Sequence, residues 1–170
     1  IKAAVDSTLE QLKVDFGKLQ NKPWYRDIKR GVLVEKCLEP EPGETDIRDY
    51  KIHIFNWLDG DQKVIVSIDF DRNYNHSRSF FDKDFNWLNF HLDRPSIKTH
   101  IEPPNNYKKM ISMAKELAKP FSYVRVDFYN VDGKIYFGEM TFAQDGGKGH
   151  LSEHMYDLWM GNLWQGDPRY

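Results

Sequence analysis

The fold is decided by the stretch YVRVDFYNVDGKIYFGEMTF, residues 123–142. Two runs rich in β-branched and aromatic residues flank an Asp-Gly pair, a pattern typical of a β-hairpin. Successive side chains of a strand point to opposite faces, so Arg125 and Asp127 share a face of the first strand. Glu139 and Thr141 likewise share a face of the second strand. The hairpin therefore carries two polar pairs, and their relative position depends on the turn.

Two turns between these strands are compatible with the sequence. A two-residue Asp132-Gly133 turn puts Glu139 on the face opposite to Asp127, because a one-residue change of register reverses the face. A three-residue turn over 131–133, with the glycine in the left-handed conformation, pairs Arg125 directly with Glu139. We prefer the three-residue turn, since it gathers one cation, two carboxylates and a hydroxyl where a metal ion and a polyphosphate can bind. The alternative interpretation is an ordinary cross-strand salt bridge.

Composition restricts the class of protein. At 170 residues, of which 40% are hydrophobic, the chain can bury one core. Its 24 basic and 26 acidic residues are nearly balanced, which argues against a nucleic-acid-binding protein with a broad cationic surface. Cys37 is the single cysteine, so an internal disulfide is excluded and we expect a reducing, cytoplasmic location. We expect no signal peptide, and no apolar run approaches the ~20 residues that cross a bilayer.

The other elements are arranged around this hairpin. Apolar residues at steps of three and four predict an amphipathic helix from Ile1 to about residue 19. The run from Gly31 to Leu38 predicts a buried strand that ends in charged residues. Asp49–Trp57 and Lys63–Phe70 predict an antiparallel hairpin. The aromatic segment Phe80–Phe90 gives no clear assignment.

Two further helices complete the predicted fold. One is capped at Asn105 or Asn106 and ends at Pro120, directly before the central hairpin. The other covers Ser152–Trp164. A helix that covers one face of an antiparallel sheet gives an α+β fold.

A polar segment lies between the predicted strand 63–70 and the aromatic segment. It contains Asp69, Asp71, Arg72, His76 and Arg78. Two interpretations remain open. The segment is either a solvated loop with incidental ion pairs or an anion site, because arginine binds phosphate and carboxylate in a bidentate manner.

Several motifs together resemble a known family. Val-Leu-Val-Glu-Lys-x-Leu at 32–38, Arg-x-Asp-Phe at 125–128 and Gly-Glu-x-Thr at 138–141 resemble the carboxyl half of an ATP-grasp fold. The sequence is most similar to the teichuronopeptide-type, TupA-like ATP-grasp proteins of bacterial surface-polysaccharide clusters. Asp49-Tyr50-Lys51, the segment from Asp69 to Phe80-Phe81-Asp82, and residues 121–127 support this narrower match, which covers nearly the whole chain.

The resemblance implies an ATP-grasp-like α+β fold, with an antiparallel sheet covered by helices. It implies one partial domain over 1–170, with a nucleotide-hinge part at about 1–57 and a metal- and phosphate-binding part at 58–170. The family's amino-terminal portion carries a phosphate-covering glycine-rich loop and a lysine on the preceding strand, and this chain begins after them. We therefore expect half a nucleotide site, and no full catalysis from this segment alone.

The resemblance also assigns site residues. The hinge that meets the adenine would comprise Glu35, Lys36, Cys37 and Leu38, and Lys51 would also contact the cofactor ATP. Magnesium would be bound by Asp127, Glu139 and Thr141, with Glu139 bridging two ions. Arg125 would neutralise the γ-phosphate or an acyl-phosphate oxygen, and Arg72 and Arg78 would approach the phosphates. Many ATP-grasp enzymes have asparagine at the position of Thr141, which puts the second metal site in question.

The implied function is an ATP- and magnesium-dependent carboxylate–amine ligase with an acyl-phosphate intermediate. Its substrates would be small-molecule or surface-polymer carboxylates and amines of polysaccharide or teichuronopeptide-type biosynthesis. One alternative is a glycosyltransferase-like enzyme of capsular polysaccharide synthesis, with Asp69 and Asp71 as metal ligands. A second alternative is a degenerate nucleotide-binding module without catalysis.

Overall fold

The computed structural model describes residues 2–19 and 22–166, and the chain divides into two compact units. The first unit comprises residues 1–37 and 143–148, and the second comprises residues 38–142 and 149–170. The functional division predicted at residue 57 stays a prediction.

The first unit is helical where it has regular structure. It contains α1 (Lys2–Gln11), α2 (Phe16–Leu19) and two 3₁₀ helices, Pro23–Asp27 and Gln144–Gly147. The predicted continuous helix to residue 19 is wrong, because α1 ends at Gln11 and a separate helix follows. The Asp15 carboxylate accepts a hydrogen bond from the backbone N–H of Lys18 (3.0 Å), an interaction that starts a new helix. Ile1, where the predicted helix begins, lies outside the described residues.

The predicted buried strand at 31–38 is wrong. Residues 29–40 form neither helix nor strand, and the side chains of Val32, Leu33 and Val34 are 56%, 82% and 87% exposed. A strand needs a neighbouring strand to satisfy its backbone hydrogen bonds. The rest of the first unit's regular structure is helical in the described ranges, so this β-prone run has no strand there to pair with.

The second unit is a six-stranded antiparallel sheet with two helices, which confirms the α+β fold. Its strand order is β4-β3-β2-β1-β5-β6. The elements are β1 (Asp49–Asn56), β2 (Gln62–Phe70), β3 (Ser77–Asp82), β4 (Trp87–Leu88), α3 (Tyr107–Ala118), β5 (Tyr123–Val131), β6 (Lys134–Thr141) and α4 (His154–Gly161). The predicted β1–β2 hairpin and both predicted helices are present. The unassigned aromatic segment contains the end of β3 and all of β4.

Helix α3 covers one face of this sheet. Met110 and Ala114 on α3 are fully buried against strand residues such as Ile52 and Val126. The side chain of Asn56 donates to the carbonyl of Ala118 (2.8 Å), which satisfies an acceptor at the carboxyl end of α3. The centre of the covered face is therefore apolar.

The opposite face of the sheet is divided along the strands. At one end Phe55, Ile65 and Phe80 form an apolar cluster, and Phe90 and Tyr156 pack against it. At the other end the same alternation places charged side chains on this face in place of apolar ones. The sheet therefore provides a rigid, half-covered surface for a polar site.

The turn between β5 and β6 differs from our preference. Val131 pairs with Lys134, so the turn has two residues, Asp132 and Gly133, with φ of 51° and 66°. Two successive positive φ values are the type I′ geometry of tight hairpins. The predicted three-residue turn and the direct Arg125–Glu139 pair are therefore wrong.

A β-bulge nevertheless produces the predicted shared face. The register shifts between Val126 and Phe128, so that Val126 pairs with Met140 and Arg125 pairs with Thr141. Because β6 has one extra residue at this point, the side chains of β6 beyond the bulge point to the opposite face from the one that the two-residue turn alone would give. Glu139 therefore lies on the same face as Arg125. Gly138 lies at the bulge, where an added Cβ would lie 3.1 Å from the carbonyl oxygen of Asp127. The glycine thus permits the close approach of the two backbones.

Candidate functional site

The polar end of the open sheet face forms the candidate site, which we call the charged face. Five strands and one loop supply its side chains. They are Asp49, Lys51, Asp69, Arg72, Arg78, Arg125, Asp127, Glu139 and Thr141. Alternation along the strands places them together, and this side of the sheet is not the one that packs against α3.

Arg125 and Asp127 form the centre of the charged face. Arg125 Nε and Nη2 donate to the two oxygens of Asp127, both at 2.7 Å. Arg125 Nη2 also donates to Glu139 Oε1 (3.1 Å) and Thr141 Oγ1 (3.0 Å). Although burial acts to lower the pKa of Arg125, its bonds to Asp127 raise that pKa above the usual value. Arg125 is therefore a permanent, oriented cation.

Lys51 lies among three buried aspartates. Its ammonium nitrogen is 2.5 Å from Asp49 Oδ2, 3.0 Å from Asp127 Oδ2 and 3.8 Å from Asp69 Oδ2. Lys51 is 6% exposed, and each aspartate is 3% exposed or less. Charges that are this well buried persist because they compensate one another.

Asp69 orients the neighbouring arginine. Arg78 Nε and Nη2 donate to its two oxygens at 2.5 and 3.0 Å, and His76 Nε2 lies 3.3 Å from Oδ1. Burial acts to raise the pKa of Asp69, but Arg78 and Lys51 hold that pKa below its usual value. Asp69 is thus an ionised anchor for the cations beside it.

Asp49 differs from the other buried carboxylates of the charged face because one of its oxygens has no hydrogen-bond partner. Its Oδ2 accepts from Lys51 and from Arg72 Nη1 (2.9 Å), whereas its Oδ1 is buried without a hydrogen-bond partner. Burial raises the pKa of Asp49 despite the opposing effect of Lys51. An unsatisfied buried oxygen of this kind calls for an explanation.

His53 lies on the same face between the charged and apolar ends. Its Nδ1 is 3.0 Å from the Tyr123 hydroxyl and its Nε2 is 3.3 Å from Ser67 Oγ. Burial, followed by the nearby cations Arg125, Arg78 and Lys51, lowers the pKa of His53 well below its usual value. His53 therefore stays neutral at physiological pH and adds no charge to the site.

The structure brings together most of the predicted site residues. Lys51, Arg72, Arg78, Arg125, Asp127, Glu139 and Thr141 all belong to the charged face. Glu35, Lys36 and Cys37 belong to the first compact unit and Leu38 to the second, so their hinge role stays a prediction. Sequence reasoning missed Asp49 and His53. The available signal was the alternation Asp49, Lys51, His53 along β1.

Part of this donor set fits a divalent cation. Among the described residues, no three His, Cys, Asp or Glu side chains converge as a ready metal site. However, Asp127 and Glu139 both place an oxygen within 3.1 Å of the same nitrogen of Arg125. Carboxylate oxygens are the ligands that magnesium prefers, and Asp49 Oδ1 is a further buried oxygen without a partner. Arg78 engages both oxygens of Asp69 in the same way as Arg125 engages both oxygens of Asp127, so these contacts do not distinguish the two aspartates as metal ligands.

One of three comparisons with known proteins identifies a family for this chain. The model of the TupA-like ATP-grasp family matches residues 1–165. No curated protein and no solved structure matches the chain. Within residues 2–19 and 22–166, every helix is too short or too polar to span a membrane. Because the family match extends over nearly the whole sequence, the chain belongs to the TupA-like ATP-grasp family.

Proposed function

We propose that the protein is an ATP- and magnesium-dependent carboxylate–amine ligase of bacterial cell-surface polysaccharide or teichuronopeptide-type biosynthesis, acting in the cytoplasm. Family membership supports an ATP-grasp-type, nucleotide-binding enzyme. The observation that carries the proposal is the charged face, where Arg125 holds Asp127 and Glu139 while Lys51, Arg72 and Arg78 lie on the neighbouring strands and loop.

The proposed reaction has two steps. A substrate carboxylate oxygen attacks the γ-phosphorus of ATP, and ADP leaves, giving an acyl phosphate. An amine nitrogen then attacks the acyl carbon, phosphate leaves, and the nitrogen loses a proton as the amide forms. Both steps need charge neutralisation and alignment more than acid–base catalysis. The fixed guanidinium of Arg125 suits this task, because it stays charged at every physiological pH.

The charge balance of the face supports a role for magnesium. Four carboxylates, Asp49, Asp69, Asp127 and Glu139, are matched by four cations, Lys51, Arg72, Arg78 and Arg125. A polyphosphate added to this neutral set would bring uncompensated negative charge into a half-buried site. Magnesium, when bound, would neutralise phosphate oxygens and align them for transfer. Asp127 and Glu139 would hold it, with Thr141 contributing directly or through water.

Calorimetric titration of the full-length protein with ATP, with and without magnesium, tests this proposal. We expect magnesium-dependent binding that weakens at least about tenfold in Asp127→Asn and in Glu139→Gln, because each loses a ligand charge. Glu116→Gln is the matched control, since Glu116 is an exposed carboxylate in an ordinary helix salt bridge with Lys119. Wild-type affinity for MgATP in both site variants would show that the metal assignment is wrong.

The two alternatives predict different outcomes. Turnover of a sugar nucleotide without ATP would identify a glycosyltransferase-like enzyme. Nucleotide binding without turnover, in the presence of a carboxylate and an amine, would favour a degenerate nucleotide-binding module. Release of phosphate from ATP that requires both a carboxylate and an amine would establish the ligase reaction.

A further inference from the structure

Lys51 holds an unusual position for a lysine. Its ammonium is buried between the carboxylates of Asp49 and Asp127, 2.5 Å from one and 3.0 Å from the other. These aspartates lie on adjacent strands, because Lys51 on β1 is the direct cross-strand neighbour of Asp127 on β5. The rigid sheet therefore fixes two anionic groups around one flexible, cationic side chain.

We infer that Asp49 and Asp127 form a divalent-cation site that the Lys51 ammonium occupies in this state. Lys51 leaves the site when a polyphosphate binds, and a divalent cation then takes its place. The inference rests on the proposed function for the arrival of the polyphosphate. The assignment of Asp49 as a cation ligand goes beyond the residues implied by the family.

The unpartnered oxygen of Asp49 is the first support for this site. Asp49 is 2% exposed, and its Oδ1 has no hydrogen-bond partner although Oδ2 receives two. A buried carboxylate oxygen without a donor is costly to maintain. Lys51 and Arg72 both bond Oδ2 and leave Oδ1 unsatisfied, whereas a cation that Asp49 ligates through both oxygens would satisfy it.

Geometry and charge give the second support. Lys51 Nζ lies 2.5 Å from Asp49 Oδ2, within the range of about 2.3–2.6 Å that calcium ligands adopt, whereas Asp127 Oδ2 at 3.0 Å would have to move closer to ligate a cation at this point. Loss of the ammonium would leave Asp49 paired with Arg72 and Asp127 paired with Arg125, but the two buried carboxylates would lose the cation that they share, a position that another cation can take. The long, flexible stem of lysine makes this exchange feasible without movement of the strands.

Manganese binding measured by electron paramagnetic resonance, without nucleotide, tests the site directly. Lys51→Met removes the ammonium and keeps the length of the stem. We expect it to bind Mn²⁺ at least about tenfold more tightly than wild type, because the competing cation is absent. Adding Asp49→Asn to Lys51→Met should return the affinity to the wild-type value.

Lys63→Met is the matched control. Lys63 also bonds an aspartate two residues away, Asp61, but this pair is exposed, so its loss should leave Mn²⁺ affinity unchanged. Equal Mn²⁺ affinity of Lys51→Met and wild type would overturn the inference, as would a Lys51→Met affinity that is insensitive to Asp49→Asn.

A second measurement applies if Lys51→Met fails to fold. In Asp49→Asn, with inorganic triphosphate present to draw Lys51 away, we expect Mn²⁺ affinity to fall about tenfold relative to wild type. An unchanged affinity there would overturn the inference. Wild-type binding of MgATP alongside either negative result would show that the Asp49 site does not exist while the nucleotide binding required by the proposed function is retained.

Discussion

Asp127 and Glu139 are proposed to share one magnesium-binding role, yet the structure predicts very different effects on stability when each is replaced by alanine. Asp127 is 3% exposed and bonds two buried cations, Arg125 and Lys51. The side chain of Glu139 is 65% exposed and bonds only one of them, Arg125. The contrast separates the structural contribution of each carboxylate from its contribution to ligand binding.

The magnitudes follow from burial. Asp127→Ala leaves Arg125 and Lys51 undercompensated in the interior, and removal of one partner of a buried ion pair costs about 3–5 kcal/mol of unfolding free energy. Glu139→Ala removes one solvent-exposed interaction, which is worth about 0.2–1 kcal/mol. With a urea m-value of about 2 kcal/mol/M, the denaturation midpoint should fall by about 2 M for Asp127→Ala and by less than about 0.5 M for Glu139→Ala.

Urea denaturation followed by tryptophan fluorescence measures both shifts, and calorimetric titration with MgATP is run on the same samples at low denaturant. We expect the two variants to differ in stability and to agree in weakened nucleotide binding. Similar midpoints for Asp127→Ala and Glu139→Ala would refute the buried arrangement of Arg125, Asp127 and Lys51. Glu116→Ala, at an exposed helix pair, is the control for the loss of a surface carboxylate.

Two further predictions concern the bulge and the buried histidine. Gly138→Ala puts a Cβ 3.1 Å from the Asp127 carbonyl oxygen, so the unfolding free energy should fall by about 1–3 kcal/mol in the same denaturation assay. Gly161→Ala is the control, because Gly161 has open space around it and its substitution should cause no such loss. The pKa of His53 in the folded state is well below its value in the unfolded state. Below pH ~6.5 the unfolded state therefore binds more protons than the folded state, and the unfolding free energy falls as the pH is lowered further. His53→Gln should remove up to about 1.4 kcal/mol per pH unit of this dependence between pH 6 and 5, and a wild-type slope in the variant would contradict the assignment.

The alternation of residues predicted which side chains share a face, and this part of the site was accessible from sequence. Arg125 and Asp127 share a face in any extended strand, and Lys51 and His53 do so on the neighbouring strand. The register between the strands was not accessible in the same way. Asp132-Gly133 is compatible with two turn lengths. The sequence around Gly138 did not reveal that a bulge would bring Glu139 onto the face of Arg125.

The failed prediction at 31–38 has a different cause. Val32, Leu33 and Val34 have the intrinsic preference for a strand, but this preference is realised only where a neighbouring strand accepts the hydrogen bonds. In the described part of the first unit no such neighbour exists, and the three side chains remain exposed. Local sequence therefore predicted both the strand and its burial incorrectly, because both depend on a partner strand.

The burial of the charged face could not be read from the sequence, and it changes what the residues can do. A polar segment from Asp69 to Arg78 is compatible with a solvated loop, in which ion pairs contribute little. The structure instead places Asp69 and Arg78 on paired strands, with Asp69 fully buried. Low local polarity strengthens each interaction of the cluster and fixes the cations in place before any ligand arrives. A neutral but tightly ordered set of charges is suited to accept a polyanion only together with a cation. The metal and the phosphates should therefore bind together. Removal of magnesium should then abolish nucleotide binding rather than only slow the reaction.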